Sequence, residues 1–199
     1  MKQILFLMML TLSVSCTSNK SRQEIESRIA DPYGNIWLQP YGDFTEADAR
    51  RLCHKIEEGL DKVYGGTFPI KVLPNKPLPD DAYYEPRKRY LASELLNDLP
   101  KMKFPDYVIG LTHKDISTEI HGQKNYGIMG LARLGGTKCI VSDYRAKGDN
   151  FIAVIVHEFG HCLFGAEHCQ DPNCIMCDFQ YLKGKKYHYG VCKHHEYVR

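Results

Sequence analysis

The sequence has no long hydrophobic run, no excess of one charge and no internal repeat. Its longest nearly apolar stretch is the nine residues Ile4 to Leu12, well short of the roughly 20 that a membrane-spanning helix needs. Lysine and arginine number 26 against 24 aspartates and glutamates, a formal net charge of +2. No charged block is long enough to serve as a nucleic-acid arm, so nucleic acid is not an expected partner. What is present suits one soluble domain: 199 residues, 43% hydrophobic and 25% charged, enough to bury a single core. The unusual numbers are eight cysteines and nine histidines, most of them late in the chain.

Met1-Lys2-Gln3 followed by the Ile4 to Leu12 run reads as a secretory signal. It ends Leu12-Ser13-Val14-Ser15-Cys16, which resembles a bacterial lipoprotein signal whose cysteine is acylated and becomes the first residue. A plain signal with an incidental cysteine is the alternative. The expected organisation is a signal over 1–15, a tether and lead-in over 16–40, and one domain over 41–199. The expected location is outside the cytoplasm, on a lipid anchor in the periplasm or at the cell surface, or else secreted. There, the other seven cysteines must be bonded, metal-bound or buried, and an odd number cannot all pair with one another.

Along the body, Asp43 to Lys62 has helical spacing with Thr45 as a candidate N-cap, and Gly65-Gly66 ends it. Phe68 to Leu73 reads as a strand and the proline-rich Pro74 to Pro86 as a loop. Arg87 to Leu99 returns to helical spacing through Leu91, Leu95 and Leu99. Tyr107 to Leu111 is a buried strand, Thr112 to Asn125 a loop, and Tyr126 to Ala132 and Lys138 to Ser142 are two strands joined across Gly135-Gly136. Helices interleaved with strands predict an α+β domain with an α/β-like layer.

The chemistry lies in Phe151 to Phe164. Ile152, Ile155, Val156, Phe159 and Leu163 form one apolar stripe of a core helix, with Asp149 or Asn150 available as the cap and Gly165 as the stop. On it stands His157-Glu158-Phe159-Gly160-His161. Residues four apart are stacked about 6 Å along the axis, so both imidazoles can reach one ion. Glu158 is turned about 100° from His157, close enough to contact a metal-bound water. Two imidazoles, a carboxylate base and a water are what neutral-pH hydrolysis of a peptide bond requires. Gly165 turns the chain, and His168 three residues later can meet the same ion, completing a three-histidine site with an open fourth position.

These residues resemble the metzincin metalloproteases, and the run Cys169, Cys174, Ile175-Met176 and then Cys192 resembles one branch, the archaemetzincins. The likeness extends upstream to Gly110-Leu111-Thr112-x-x-Asp115 and Val141-Ser142-x-Tyr144-Arg145, and covers roughly Phe68 to His195. It implies a zincin fold: a mixed twisted sheet, an active-site helix and a small zinc-stapled C-terminal region. It also implies that Met176 is the Met-turn residue under the catalytic zinc, and that an extended peptide lies along an edge strand, for which Tyr126 to Ala132 is the candidate. The chain departs from the family in having three residues, Cys162 to Phe164, between His161 and Gly165 where two are usual. Glu167 then takes the family's usual spacing and is a substitute for His168.

A second zinc is expected at Cys169, Cys174, Cys192 and His195, three thiolates and one imidazole that suit a closed tetrahedral site. Cys177 or His194 can replace one member, and a Cys169–Cys174 or Cys174–Cys192 disulfide is the competing arrangement. Cys53 and Cys139 read as buried thiols or a disulfide, Cys162 as a packed thiol, and His54, His113, His121 and His188 as surface or loop residues. The expected protein is a monomeric zinc metallopeptidase with two zinc ions, Glu158 as general base and acid, and a peptide or protein as substrate. A non-catalytic zinc- or peptide-binding lipoprotein that keeps the site is the alternative.

Overall fold

The computed structural model describes residues 34–120, 122–182 and 186–198. The expected signal, Cys16 and most of the tether lie outside the described residues, as does His121. Two mixed sheets carry the fold. The larger has five strands: β1 (Ile36–Pro40), β2 (Ile70–Val72), β5 (Tyr107–Thr112), β8 (Gly130–Ala132) and β9 (Lys138–Ser142), in the order β2-β1-β5-β9-β8. All its pairings are parallel except that of β8 with β9. The smaller holds β3 (Tyr83–Tyr84), β4 (Arg89–Leu91), β6 (Ile116–Ile120) and β7 (Gln123–Ile128), in the order β3-β4-β6-β7.

Helices cover both faces of the larger sheet, which is why β5 is buried along its whole length. Ile36, Leu38, Tyr107, Ile109 and Leu111 share a core with α1 (Glu46–Tyr64) and α3 (Asp149–Phe164). Val108 and Ile140 face the other way, into a core with α2 (Ala92–Asp98) and Ile116. A short fourth helix, α4 (Phe179–Leu182), follows the active region. Among the described residues no helix is long and apolar enough to cross a membrane.

The expected start of α1 is there in full. The Thr45 side chain accepts the Asp48 N–H, the Asp48 carboxylate accepts the Thr45 N–H, and Gly65 at φ 61° closes the helix. Elsewhere the structure corrects the sequence reading. Ile36–Pro40, assigned to the lead-in, is an interior strand of the larger sheet. Helix α2 begins at Ala92, because Arg89–Leu91 instead pairs in parallel with β6: the Tyr90 N–H bonds the Asp115 carbonyl, and the Arg89 side chain meets the Asp115 carboxylate at 2.6 Å. The expected loop over 112–125 contains β6 and the start of β7. The single strand expected over Tyr126 to Ala132 breaks at Met129, so β7 belongs to the smaller sheet and β8 forms the edge of the larger one. Finally, Gly148 caps α3 without a side-chain bond. Asn150 does not cap because its Oδ1 accepts the Tyr187 N–H.

Candidate metal centres

Helix α3 is buried on every side from Phe151 to Phe164, not only along its apolar stripe. His157 and His161 are therefore inside the protein, 2% and 6% exposed. Gly165, at φ 62° and ψ 24°, ends the helix by donating its N–H to the His161 carbonyl. That conformation is in the left-handed region and comes cheaply only to glycine. The three residues Cys162 to Phe164 thus complete one further stretch of helix, and the chain beyond Gly165 still returns His168 to the other two histidines.

The three Nε2 atoms form a triangle with every side 3.1 Å. The Nδ1 of His157 lies 2.7 Å from the Ile175 carbonyl, and that of His161 faces the Ala166 carbonyl. A carbonyl only accepts, so each Nδ1 carries the proton and each Nε2 presents a lone pair. Burial and neighbouring imidazoles hold His157 well below the usual histidine range, and burial pushes His161 down to about 4. Neutral imidazoles with lone pairs turned on one another repel unless a cation lies among them. Zinc fits: tetrahedral bonds of about 2.0–2.1 Å set nitrogen donors about 3.3–3.4 Å apart. The third imidazole is oriented differently, its Nδ1 lying 3.8 Å from an Asp178 carboxylate oxygen.

Glu158 lies beside this triangle, not in it. Burial pushes its carboxyl up to about 8. It packs flat on Gly130 of the β8 edge, where a Cβ would lie 2.6 Å from both its Cγ and its Oε1. Behind the helix, Gly160 leaves room for two groups: an added Cβ there would strike Tyr64 Oη and come within 2.7 Å of Met176 Sδ. Met176 is fully buried, and Tyr64 Oη donates to the Val156 carbonyl at 2.8 Å. The Tyr187 ring packs against that of His157 with centroids 4.8 Å apart, the two planes tilted by 43°. Sequence reasoning missed Gly130, Tyr64, Asp178 and Tyr187. Only Gly160 left a trace, because a glycine in mid-helix signals a close approach.

The second donor set is Cys169, Cys174, Cys192 and His195. Cys192 and Cys169 sulfurs are 3.9 Å apart, and His195 Nδ1 lies 3.5 Å from Cys174 Sγ and 3.3 Å from Cys192 Sγ. Tetrahedral zinc with bonds of about 2.3 Å to sulfur spaces thiolates about 3.8 Å apart, so the set fits. His195 Nε2 donates to the Glu167 carbonyl at 3.0 Å, which leaves Nδ1 free to ligate. All seven described cysteines are free, so the disulfide arrangements are not formed. Cys177 turns its sulfur to the Asp178 carbonyl and His194 is exposed; neither joins the set. Cys139 and Cys162 are buried thiols, the latter donating to the Lys138 carbonyl. His54 and His188 are exposed, while His113 is half-buried against Phe44 and Asp143.

Two hollows flank His168. One, of about 330 Å³, lies between the triangle and the β8 edge, with Leu131, Ala132 and Leu134 as its apolar wall. The other, of about 980 Å³, lies beyond His168 and is lined by polar side chains including Gln170, Asp171, Lys193 and His194.

No family model matches the chain. The archaemetzincin of Methanopyrus kandleri strain AV19 is 36% identical over 133 residues, which cover 63% of this chain and 72% of that one. The archaemetzincin of Halobacterium salinarum strain R1 is 31% identical over 123 residues, 54% of this chain and 68% of that one. Among solved structures, the Methanopyrus kandleri archaemetzincin is similar with a TM-score of 0.65 and 28% identity, covering 82% of this chain and 91% of that one. The Archaeoglobus fulgidus archaemetzincin, complexed with malonate, shares the fold with a TM-score of 0.65 at 24% identity, covering 80% and 96%.

Proposed function

The chain belongs to the archaemetzincin family of zinc metallopeptidases, and from that premise we propose that it hydrolyses peptide bonds at the His157, His161 and His168 centre with Glu158 as the proton carrier. The observation that carries this is the triangle of Nε2 lone pairs with a buried carboxylate beside it. Zinc held there supplies Lewis acidity at the scissile carbonyl and acidifies a water. The chain's own residues do the rest. The Ile175 and Ala166 carbonyls fix two imidazoles by their Nδ1–H groups, so the ligands do not have to reorganise during the reaction. Glu158, held against Gly130, takes the proton of the attacking water and delivers it to the departing amine nitrogen. The unpaired edge of β8 offers main-chain donors and acceptors to an extended peptide. Cys169, Cys174, Cys192 and His195 hold a second, structural zinc, and Met176 supports the first from behind Gly160.

The test is zinc per chain by mass spectrometry on protein from Thr17 onward. Two zincs are expected, falling to one in His157→Ala/His161→Ala. A count unchanged by that double substitution would overturn the assignment.

The proposal extends to location and partners. The protein is a monomer exported behind the signal of residues 1–15 and held at a membrane by acylation of Cys16, with a peptide or protein as its substrate. The apolar run and the Ser13-Val14-Ser15-Cys16 sequence support the anchor. Full-length protein should fractionate with membranes and Cys16→Ala should not; a soluble wild-type chain would remove the anchor from the proposal.

A further inference from the structure

We propose that Glu167 selects substrates with a lysine or arginine next to the scissile bond; this rests on the peptidase reading above. The hollow of about 330 Å³ joins three kinds of surface. Its floor is the reaction centre, through Glu158, His161 and His168. One wall is apolar, from Leu131, Ala132 and Leu134. Glu167, which stands between this hollow and the larger one and lines both, is the acidic residue at its mouth. Glu167 takes the family's usual ligand spacing, yet it is His168 and not Glu167 that completes the donor triangle. Glu167 is exposed, and among the described residues its side chain makes no hydrogen bond or ion pair, so its carboxylate is available to a ligand.

Its backbone, by contrast, is fixed. The Glu167 carbonyl accepts the His195 Nε2–H at 3.0 Å, and the next residue is the ligand His168. The carboxylate therefore swings on a short stem from an anchored point. A side chain that enters this hollow meets hydrocarbon along its length and a negative charge at its end. Lysine and arginine match that sequence of surfaces, burying an aliphatic stem while the cationic head stays with a carboxylate. Leucine fills the wall but leaves the charge unpaired, and glutamate is repelled by it. Because the hollow opens on the reaction centre, the selected residue is adjacent to the bond cut, not remote from it. The larger hollow also includes Glu167 in its lining, but there Asp171, Lys193 and His194 mix charges of both signs and it lacks the apolar wall.

The experiment uses zinc-loaded enzyme and N-acetylated, C-amidated peptides that differ at one position flanking the cleavage site: lysine, arginine, leucine or glutamate. The blocked ends remove free terminal charges. Two quantities are measured, kcat/KM for the wild type and Kd for the Glu158→Gln protein, which binds without cutting. Lysine and arginine are expected to lead leucine about tenfold in both, as a charge-assisted contact gives. In Glu167→Gln, with both zincs retained, the lead should collapse to within about twofold, and Glu167→Lys should turn the preference toward glutamate. A wild type without the basic preference, or one whose preference survives Glu167→Gln, overturns the inference. So does a failure of every peptide to bind. If peptides bind with the stated order but the wild type cuts none, Glu167 keeps its role and the peptidase reading fails.

Discussion

Replacing Glu158 by glutamine should lower peptide turnover by about 10²–10⁴-fold, the usual worth of a positioned proton carrier, while both zincs stay bound. Glutamine keeps the shape of the side chain but cannot take up a proton. Glu158 is not among the donor atoms of either metal set, so the metals should not respond. Steady-state kcat with zinc content on the same sample checks this, and turnover near the wild-type rate would remove Glu158 from the chemistry. Gly130→Ala should give a related result with the carboxylate left chemically intact. Its Cβ would lie 2.6 Å from Glu158 Cγ and Oε1, so the side chain must rotate away from the strand that positions it. A fall in kcat of at least tenfold with unchanged zinc content is expected. Undiminished kcat in Gly130→Ala would show that the Gly130 contact does not set the carboxylate's position.

Much of this was legible in the sequence because it depends on neighbours along the chain. The spacing of His157 and His161, the Thr45 cap and the glycine stops at Gly65 and Gly165 are local, and local geometry delivers them. What escaped depends on distant partners. Arg89–Leu91 has helical spacing into α2, but the Asp115 carbonyl and carboxylate draw it into a strand. Ile116–Ile120 has three polar residues between its two isoleucines and so carries no alternating signal; it is a strand because it pairs with Arg89–Leu91 and with β7. The break at Met129 was invisible because both halves are strands; only their different sheets separate them. In the site, the third ligand depended on how one extra residue is absorbed, and only the added length of α3 answers that.

Cys174→Ser should cost the protein one zinc and lower its melting temperature by about 10–20 °C. Structural zinc contributes roughly 10–16 kcal/mol to small zinc-bound peptides at pH 7, against about 5–15 kcal/mol for the net stability of a whole domain. Even a loss of about 5 kcal/mol lowers a melting point by about 10–20 °C at this chain length. The effect should also reach the first centre. His168 and Cys169 are consecutive and belong to different donor sets, and His195 holds the Glu167 carbonyl just before them. Without the second metal, the limb that carries the third imidazole loses its fastening, and zinc affinity at the first centre should fall as well. Thermal melts with zinc counting decide the matter. A melting point within about 2 °C of wild type with two zincs retained would show that these four residues do not form a metal staple.

One main-chain contact bears on how the cleft behaves as a machine. The His161 carbonyl accepts two N–H groups: that of Gly165, which ends the helix, and at 2.8 Å that of Gly135, from the turn joining β8 to β9. The rim strand is thereby bolted to the metal-bearing helix by backbone alone, at the residue that also supplies a ligand. At this point the gap between rim and floor is held like a jaw on a fixed pin. A peptide entering here meets a rim already set against the floor, which lowers the ordering cost of binding.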